Sequence, residues 1–387
     1  MQIDLDLLII GAGCAGLSLG VQLAKMRERA PKVLLLEQRT VYENDRTWCF
    51  WGQQENVYSD LVNHQWSKLA VQSKKEKISL DCSFAPYQIL PSNRFYEKAL
   101  QSIGLNPLLD LRMGSALLKE PELHQGWWYF ETSFGQLRAK SVVDTRPKAW
   151  HDLKDTKLWQ SFLGYEIECD QARFDPNTAV LMDFCKANSE FVGFNYVLPQ
   201  SEKRALIEFT IFARQPYVQD DLMGRLDESV TQYIGSKSYK ILRKESGIIP
   251  MGLASDDASP SSIDSHPSYI HAGLTAGAAR PATGYAFQRI QNWAIQCANS
   301  LSKYGLPTAH AKDFFLLRKM DDIFLNVIRN NPELGPTLFM ALFSKVNSKR
   351  VIRFLSDKGR LLDYLSVVKA LPAAPFLKDI LKILRPR

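Results

Sequence analysis

The chain of 387 residues is poor in the patterns that direct a functional search toward metals, disulfides or export. Its six cysteines (Cys14, Cys49, Cys82, Cys169, Cys185, Cys297) form no C-x-x-C pair, so neither a disulfide framework nor a thiolate metal site is expected, and a reducing cytoplasm fits best. Its six histidines include no H-E-x-x-H arrangement; His266 and His271 make a weak ligand spacing on their own, and no metal is expected. The first residues carry Asp4 and Asp6 where a secretory leader would be basic, so export is not expected. There is no internal repeat, and the one low-complexity stretch, GLASDDASPSS, reads as a surface connection. The longest uncharged run, residues 7–24, approaches the length of a membrane span, yet it contains four glycines. It reads better as a buried strand over residues 5–10, a tight turn, and a helix packed on a sheet through Leu17, Leu19 and Leu23.

That turn is GAGCAG. Gly11 permits a sharp bend, Gly13 lets backbone approach a pyrophosphate at the helix N-terminus, and Gly16 brings helix and strand together. A second apolar run, KVLLLEQ, ends in Glu37, placed to accept from a ribose hydroxyl. A strand–turn–helix–strand unit with the acid at that position predicts a bound dinucleotide. Far downstream, SYIHAGLTAGAARPATGYAFQRI is a strand entering a glycine-rich loop and a helix, a second place where backbone N–H groups can face an anion or a ring. Between the two lie YQILPSNRFYEKAL and SVVDTRPKAW, each bringing an arginine, Arg94 and Arg146, after a short strand or turn. The arrangement resembles FAD-binding proteins of the aromatic hydroxylase and glutathione reductase type. It implies an α/β, doubly wound Rossmann-like lobe, with the ADP half on the first motif and the isoalloxazine at the late one.

A lone acid stands out in RALIEFTIF, residues 204–212: Leu206, Glu208 and Thr210 share one face of a strand, and Ile207, Phe209 and Ile211 the other. A sheet-edge glutamate facing water is its plain reading. NDRTWCFW (44–51), FLGYEIE (162–168), MDF (182–184), IEFT (207–210) and ARPATGYAF (279–287) occur in the order found in bacterial lycopene β-cyclases, and most of the chain resembles that family. Two departures stand beside the match: Phe209 occupies a position where members often carry a second acid, and the late loop opens with Gly273-Leu274 rather than the Gly-Asp of the hydroxylases.

The resemblance implies an acid-initiated, redox-neutral cyclisation of lycopene ends to β-ionone rings on reduced FAD, with NAD(P)H or another reductant as electron source. It makes Glu208 the acid, its pKa raised in an apolar pocket walled by Ile207, Phe209 and GFNYVLP, with Glu166 a lesser acid or base candidate. It assigns cofactor contacts to Gly11, Gly13, Gly16, Glu37, Arg46, Arg94, Gly273, Thr283, Gly284 and Tyr285. Trp48, Phe50 and Trp51 are either substrate or cofactor contacts or plain core. Of Glu166 and Glu168, one is expected buried and one solvated, and Asp183 is expected at a strand end. A flavin monooxygenase on an apolar substrate, and a non-catalytic carotenoid- or lipid-binding flavoprotein, are the alternatives left open.

The expected organisation is an FAD lobe from residues 1–58, 87–150 and 240–300, a substrate sheet from 59–86 and 151–239, and a helical, basic region over 305–387. Residues 344–387 carry eleven basic and three acidic side chains, a net +8 against +7 for the whole chain. Interleaved with Phe354, Leu355, Leu361, Leu362, Leu365, Phe376, Leu377, Ile380, Leu381 and Leu384, that charge predicts docking on an anionic membrane surface, on the inner face of the cell membrane. No nucleic-acid motif accompanies the charge, so nucleic acid is not an expected partner.

Overall fold

The computed structural model describes residues 3–52, 58–153, 156–185, 187–235, 238–253 and 266–384, with side chains through Lys378. The GLASDDASPSS loop lies mostly outside the described residues, as do the side chains of Ile380, Leu381 and Leu384.

Two seven-stranded sheets and a three-stranded one organise the described chain. In the first sheet, Ile3–Ile10 lies between Val33–Leu36 and Gly135–Asp144, parallel to both, and Leu109–Arg112 and Tyr269–His271 extend the parallel set. Val33–Leu36 is buried at every position, as a strand covered on both faces requires. The helix Cys14–Ala24 covers one face through Leu17, Leu19 and Leu23, all at 0 % exposure.

The second sheet runs Tyr239–Met251, Leu158–Cys169, Arg204–Ala213, Phe191–Pro199, Thr178–Phe184, Lys68–Gln72, Lys77–Asp81, antiparallel except where the Thr178 strand meets the Lys68 strand. Its two faces differ because side chains alternate with period two. Ala205, Ile207, Phe209 and Ile211 pack on the helix Gln219–Ile234, whose Leu222, Leu226, Val230 and Ile234 recur every fourth residue as one stripe. Leu206 and Phe212 face the opposite way, into the largest core.

Two expectations change here. The strand Tyr239–Met251 belongs to the second sheet, hydrogen-bonded along the whole Leu158–Cys169 strand, so the boundary expected at residue 240 moves past it. Long cross-strand register outweighs the position of these residues between two cofactor motifs. The helical region expected as a separate unit over 305–387 is packed into the body: Leu325, Leu338, Val351, Ile352, Phe354, Leu355, Tyr364 and Val367 are buried in the same core as the sheet. Arg280, at 0 % exposure, ties the late loop to these helices through Asp321 (3.2 Å) and the Phe354 carbonyl.

Candidate active site

The N-terminal turn has the shape of a phosphate cradle. Gly11 sits at φ +85°, and a Cβ at Gly16 would lie 2.0 Å from the Gly11 carbonyl oxygen, so only glycine lets this helix start so close to the strand. A Cβ at Gly13 would meet nothing nearer than Arg39 Nη2 at 3.9 Å, leaving open space above the helix N-terminus. Glu37, directly after Val33–Leu36, accepts from Ala12 N–H (2.9 Å) and from Arg39 N–H and Nε–H (3.0 Å each). Burial pushes its carboxyl up, but Arg39 and the Ala12 N–H outweigh burial and hold it below the usual carboxylate range. Arg39 also lies over the rings of Tyr42 and Tyr96. The adjoining strand end closes the turn, with Thr145 donating to the Gly11 carbonyl (2.6 Å) and Arg146 paired to Asp144.

The late loop passes close to this turn. A Cβ at Gly273 (φ +97°) would lie 3.4 Å from Ala15 Cβ, and Gly273 N–H donates to Nε2 of His310 (3.0 Å). Burial, then Arg289, lowers His310 to about 4, which keeps that nitrogen an acceptor at neutral pH. At the loop's other end Gly284 (φ +70°) faces Gln160, whose buried Oε1 has no hydrogen-bond partner. The indole N–H of Trp51, beside Tyr285, is likewise buried and unpartnered. The glycine cradle, the acid after the second strand, and these two unsatisfied polar atoms by the late loop together fit FAD.

Glu208 sits in the middle of the second sheet. Cross-strand pairing places Tyr196, Glu208, Gly164 and Glu245 in one row over four adjacent strands. The Glu208 side chain therefore shares the face of Leu206 and Phe212, toward the large core. Burial raises its carboxyl to about 8; the Glu245 charge adds to the rise, while a hydrogen bond from Thr210 (2.6 Å) and the Arg243 charge oppose it. Its surroundings are aromatic. Tyr285 lies 3.3 Å from Tyr87 through their hydroxyls, and Trp51 packs on both rings with centroids 4.9 and 5.3 Å apart.

A family model described as lycopene cyclase protein matches residues 6–380. The chain belongs to the lycopene cyclase family. It is 29% identical over 297 residues to the lycopene beta-cyclase of Pseudescherichia vulneris, covering 73% of this chain and 70% of that one. It is 22% identical to the lycopene beta-cyclase of Pantoea ananas across 99% of both chains. Among solved structures it resembles a geranylgeranyl bacteriochlorophyll reductase-like protein of Thermoplasma acidophilum, with TM-score 0.60, 14% identity and 99% of each chain covered. It also resembles the flavin-dependent monooxygenase PieE in complex with FAD and substrate, with TM-score 0.62, 12% identity and 97% and 72% covered. The fold is thus that of flavin-dependent enzymes.

Within this lycopene cyclase family member, the expected site residues separate into groups. Gly11, Gly13, Gly16 and Glu37 converge on the first turn, and Gly273, Thr283, Gly284 and Tyr285 lie along the late loop. Arg46 and Arg94 are exposed; Arg46 lines a polar cavity of about 630 Å³, and Arg94 an adjoining one of about 270 Å³. Glu166 lines both, but it is paired with Arg204 (2.6 Å) and Arg243 (3.0 Å), which outweigh burial and hold its carboxyl below the usual range. A carboxylate so held is a poor proton donor. Glu208 lies beyond Glu245, off the lining of either cavity, so these two cavities are not where the acid is.

The pocket walls also differ from expectation. Ile207 and Phe209 point to the Gln219–Ile234 helix, away from Glu208; of the expected walls the GFNYVLP strand remains, through Tyr196, and Cys49 joins it. Trp48 and Phe50 stack on Phe287 in the core of the FAD lobe, and only Trp51 of the aromatic trio faces the acid's side. Glu166 is buried and Glu168 exposed. Asp183 is buried, accepting from Gln72 (2.9 Å) and Tyr233. Arg39, Glu245 and His310 were not expected. The sequence signal for Glu245 is an acid in a long alternating run, legible once the register is known.

Proposed function

We propose that the chain is a lycopene β-cyclase, an isomerase in which Glu208 gives its proton to C2 of the terminal C1=C2 double bond of lycopene. The resulting cation at C1 closes onto C6, and loss of the C6 proton leaves the β-ring. Every atom and electron is retained, so the reaction is redox-neutral. The observation that supports this reading most is the Glu208 carboxyl, held protonated near neutral pH within an aromatic enclosure in a member of this family. A carboxylic acid protonates an alkene only where water does not compete for the proton, and this half-buried carboxyl meets that condition once an apolar polyene covers it.

The π faces of Trp51, Tyr87, Tyr196 and Tyr285 offer electron density to a carbocation formed beside Glu208. Gly11, Gly13, Gly16 and Glu37 would hold FAD, which in its anionic reduced form, maintained by NAD(P)H or another reductant, would supply negative charge favouring such a cation without hydride transfer. Glu166, with Arg204 and Arg243, ties three adjacent strands together beside the two polar cavities.

Lycopene is delivered from lipid, and the reading includes a peripheral position on the inner face of the cell membrane. Among the described residues no helix is long and apolar enough to cross a membrane. The helix Leu361–Ala370 instead exposes Leu361, Leu362, Leu365 and Val368 on one side, flanked by Lys358, Arg360 and Lys369.

Expression in a lycopene-accumulating bacterial host with pigment analysis tests the reading. Cyclised carotenoid is expected, with a solvent deuteron at the former C2 of each ring when the reaction runs in D2O. Unchanged lycopene beside folded, flavin-loaded protein would overturn it.

A further inference from the structure

The second carboxylate of this site is on a different strand from the first. Gly164 stands between Glu208 and Glu245 in the cross-strand row, and a Cβ there would already lie 3.3 Å from Glu208 Cβ. With only a hydrogen at Gly164, no side chain of the intervening strand stands between the two glutamates. Glu245 is buried and anchored, accepting from Thr47 Oγ1 (2.7 Å) and ion-paired with Arg243. Phe209, where a second acid directly following Glu208 would sit, points to the opposite face.

We propose that Glu245 is a positioning residue which, seen by Glu208 across the gap at Gly164, keeps the Glu208 carboxyl protonated for transfer. A fixed negative charge beside a buried carboxyl disfavours a second ionisation, as in any close carboxylate pair. Arg243 does not cancel it, because that guanidinium is shared with Glu166 on the far side. The other titratable groups facing Glu208 are Cys49 and Tyr196, with Tyr285 and Tyr87 next to them; burial raises all four above their ordinary values, so at neutral pH they are uncharged. Glu245 and Arg243 are thus the charges that set the Glu208 equilibrium, and Glu245 is the one that favours the protonated form.

This inference deepens the cyclase reading and rests on Glu208 as its acid, but its test does not require turnover. The carbonyl stretch of a protonated carboxyl can be followed by infrared difference spectroscopy as flavin-loaded protein is titrated, the Glu208 band being assigned by its loss in Glu208→Gln. In Glu245→Gln, which keeps an acceptor for Thr47, the band should titrate about one pH unit lower than in wild type. The alkaline limb of lycopene cyclisation should move with it. Glu245→Asp retains the charge and should restore both. A Glu208 band that titrates at the same pH in wild type and Glu245→Gln overturns the inference, since a merely structural role for Glu245 would leave the band in place. A shifted band in a protein that converts no lycopene would refute the cyclase reading while supporting this coupling.

Discussion

If Glu208 is held protonated by its surroundings, the protein is destabilised by that acid as pH rises, and removing the carboxyl should make the fold stronger in alkali. The ordinary value for this carboxyl is 4.5 and the folded value about 8. A group raised in this way contributes stability that is fully present below 4.5 and withdrawn as pH climbs through 8, because over that window the unfolded chain ionises and the folded chain does not. At about 1.4 kcal/mol per pH unit, the part withdrawn between roughly pH 5 and 8 is ~3.5 kcal/mol. Glu208 retains some exposed area, and screening through it reduces the figure to ~2–3 kcal/mol. Gln has the same shape and does not titrate. The stability of Glu208→Gln relative to wild type should therefore grow by ~2–3 kcal/mol across this range, or about 3 °C in Tm for a chain of this length. Thermal unfolding of the two flavin-loaded proteins at matched ionic strength reads the difference directly. Parallel pH dependences would refute the reasoning, and Glu208 would return to the reading of an ordinary strand residue.

Other consequences follow from single positions. A Cβ at Gly13 meets nothing nearer than Arg39 Nη2 at 3.9 Å, so Gly13→Val should fold with the melting temperature of flavin-free wild type yet fail to retain flavin, measured as bound absorbance after gel filtration; normal flavin content would contradict the pyrophosphate assignment. Arg280→Met leaves Asp321 buried without its partner and should destabilise by roughly 3–5 kcal/mol, more as pH rises, since burial already pushes that carboxyl up; denaturant unfolding at two pH values checks both size and sign. Leu361→Ser with Leu365→Ser removes two exposed leucines worth ~1.5 kcal/mol each to a lipid surface, so co-sedimentation with anionic vesicles should weaken about a hundredfold without loss of Tm, and equal sedimentation would sink the docking assignment.

How much of this was legible in the sequence depends on whether a feature is local. The first turn was, because a glycine at φ +85° and another within 2.0 Å of a carbonyl leave a spaced signature that needs no distant partner. The Gln219–Ile234 helix and the alternation in residues 204–212 follow from periodicity in the same way. The C-terminal region misled for a physical reason: an apolar stripe on a basic helix has the same pattern whether it faces lipid or a sheet. Tyr364 and Val367 face the core, whereas Leu361 and Leu365, on the same helix, do not. Composition cannot separate the two, and so the helical, basic region is packed on the second sheet with one face left exposed.

The acid illustrates the other limit. That Leu206, Glu208 and Thr210 share a face was readable, but which face is buried against what was decided by pairing with other strands, through Gly164 and Glu245 on one side and Tyr196 on the other. Period two also explains why Phe209 at the next position leaves this carboxyl pair intact: a residue following Glu208 cannot reach its face, whereas one across Gly164 can. If that geometry governs the acid, Gly164→Ala should perturb it without touching either carboxylate. Its methyl would meet Leu206 Cδ1 at 3.2 Å and Glu208 Cβ at 3.3 Å, contacts tight enough to displace the glutamate by a few tenths of an ångström. Cyclisation should fall by about tenfold or more, as such misplacements of catalytic groups do, while flavin content and melting temperature change little. A Gly164→Ala enzyme with wild-type turnover would show that the spacing of the row does not matter to the reaction.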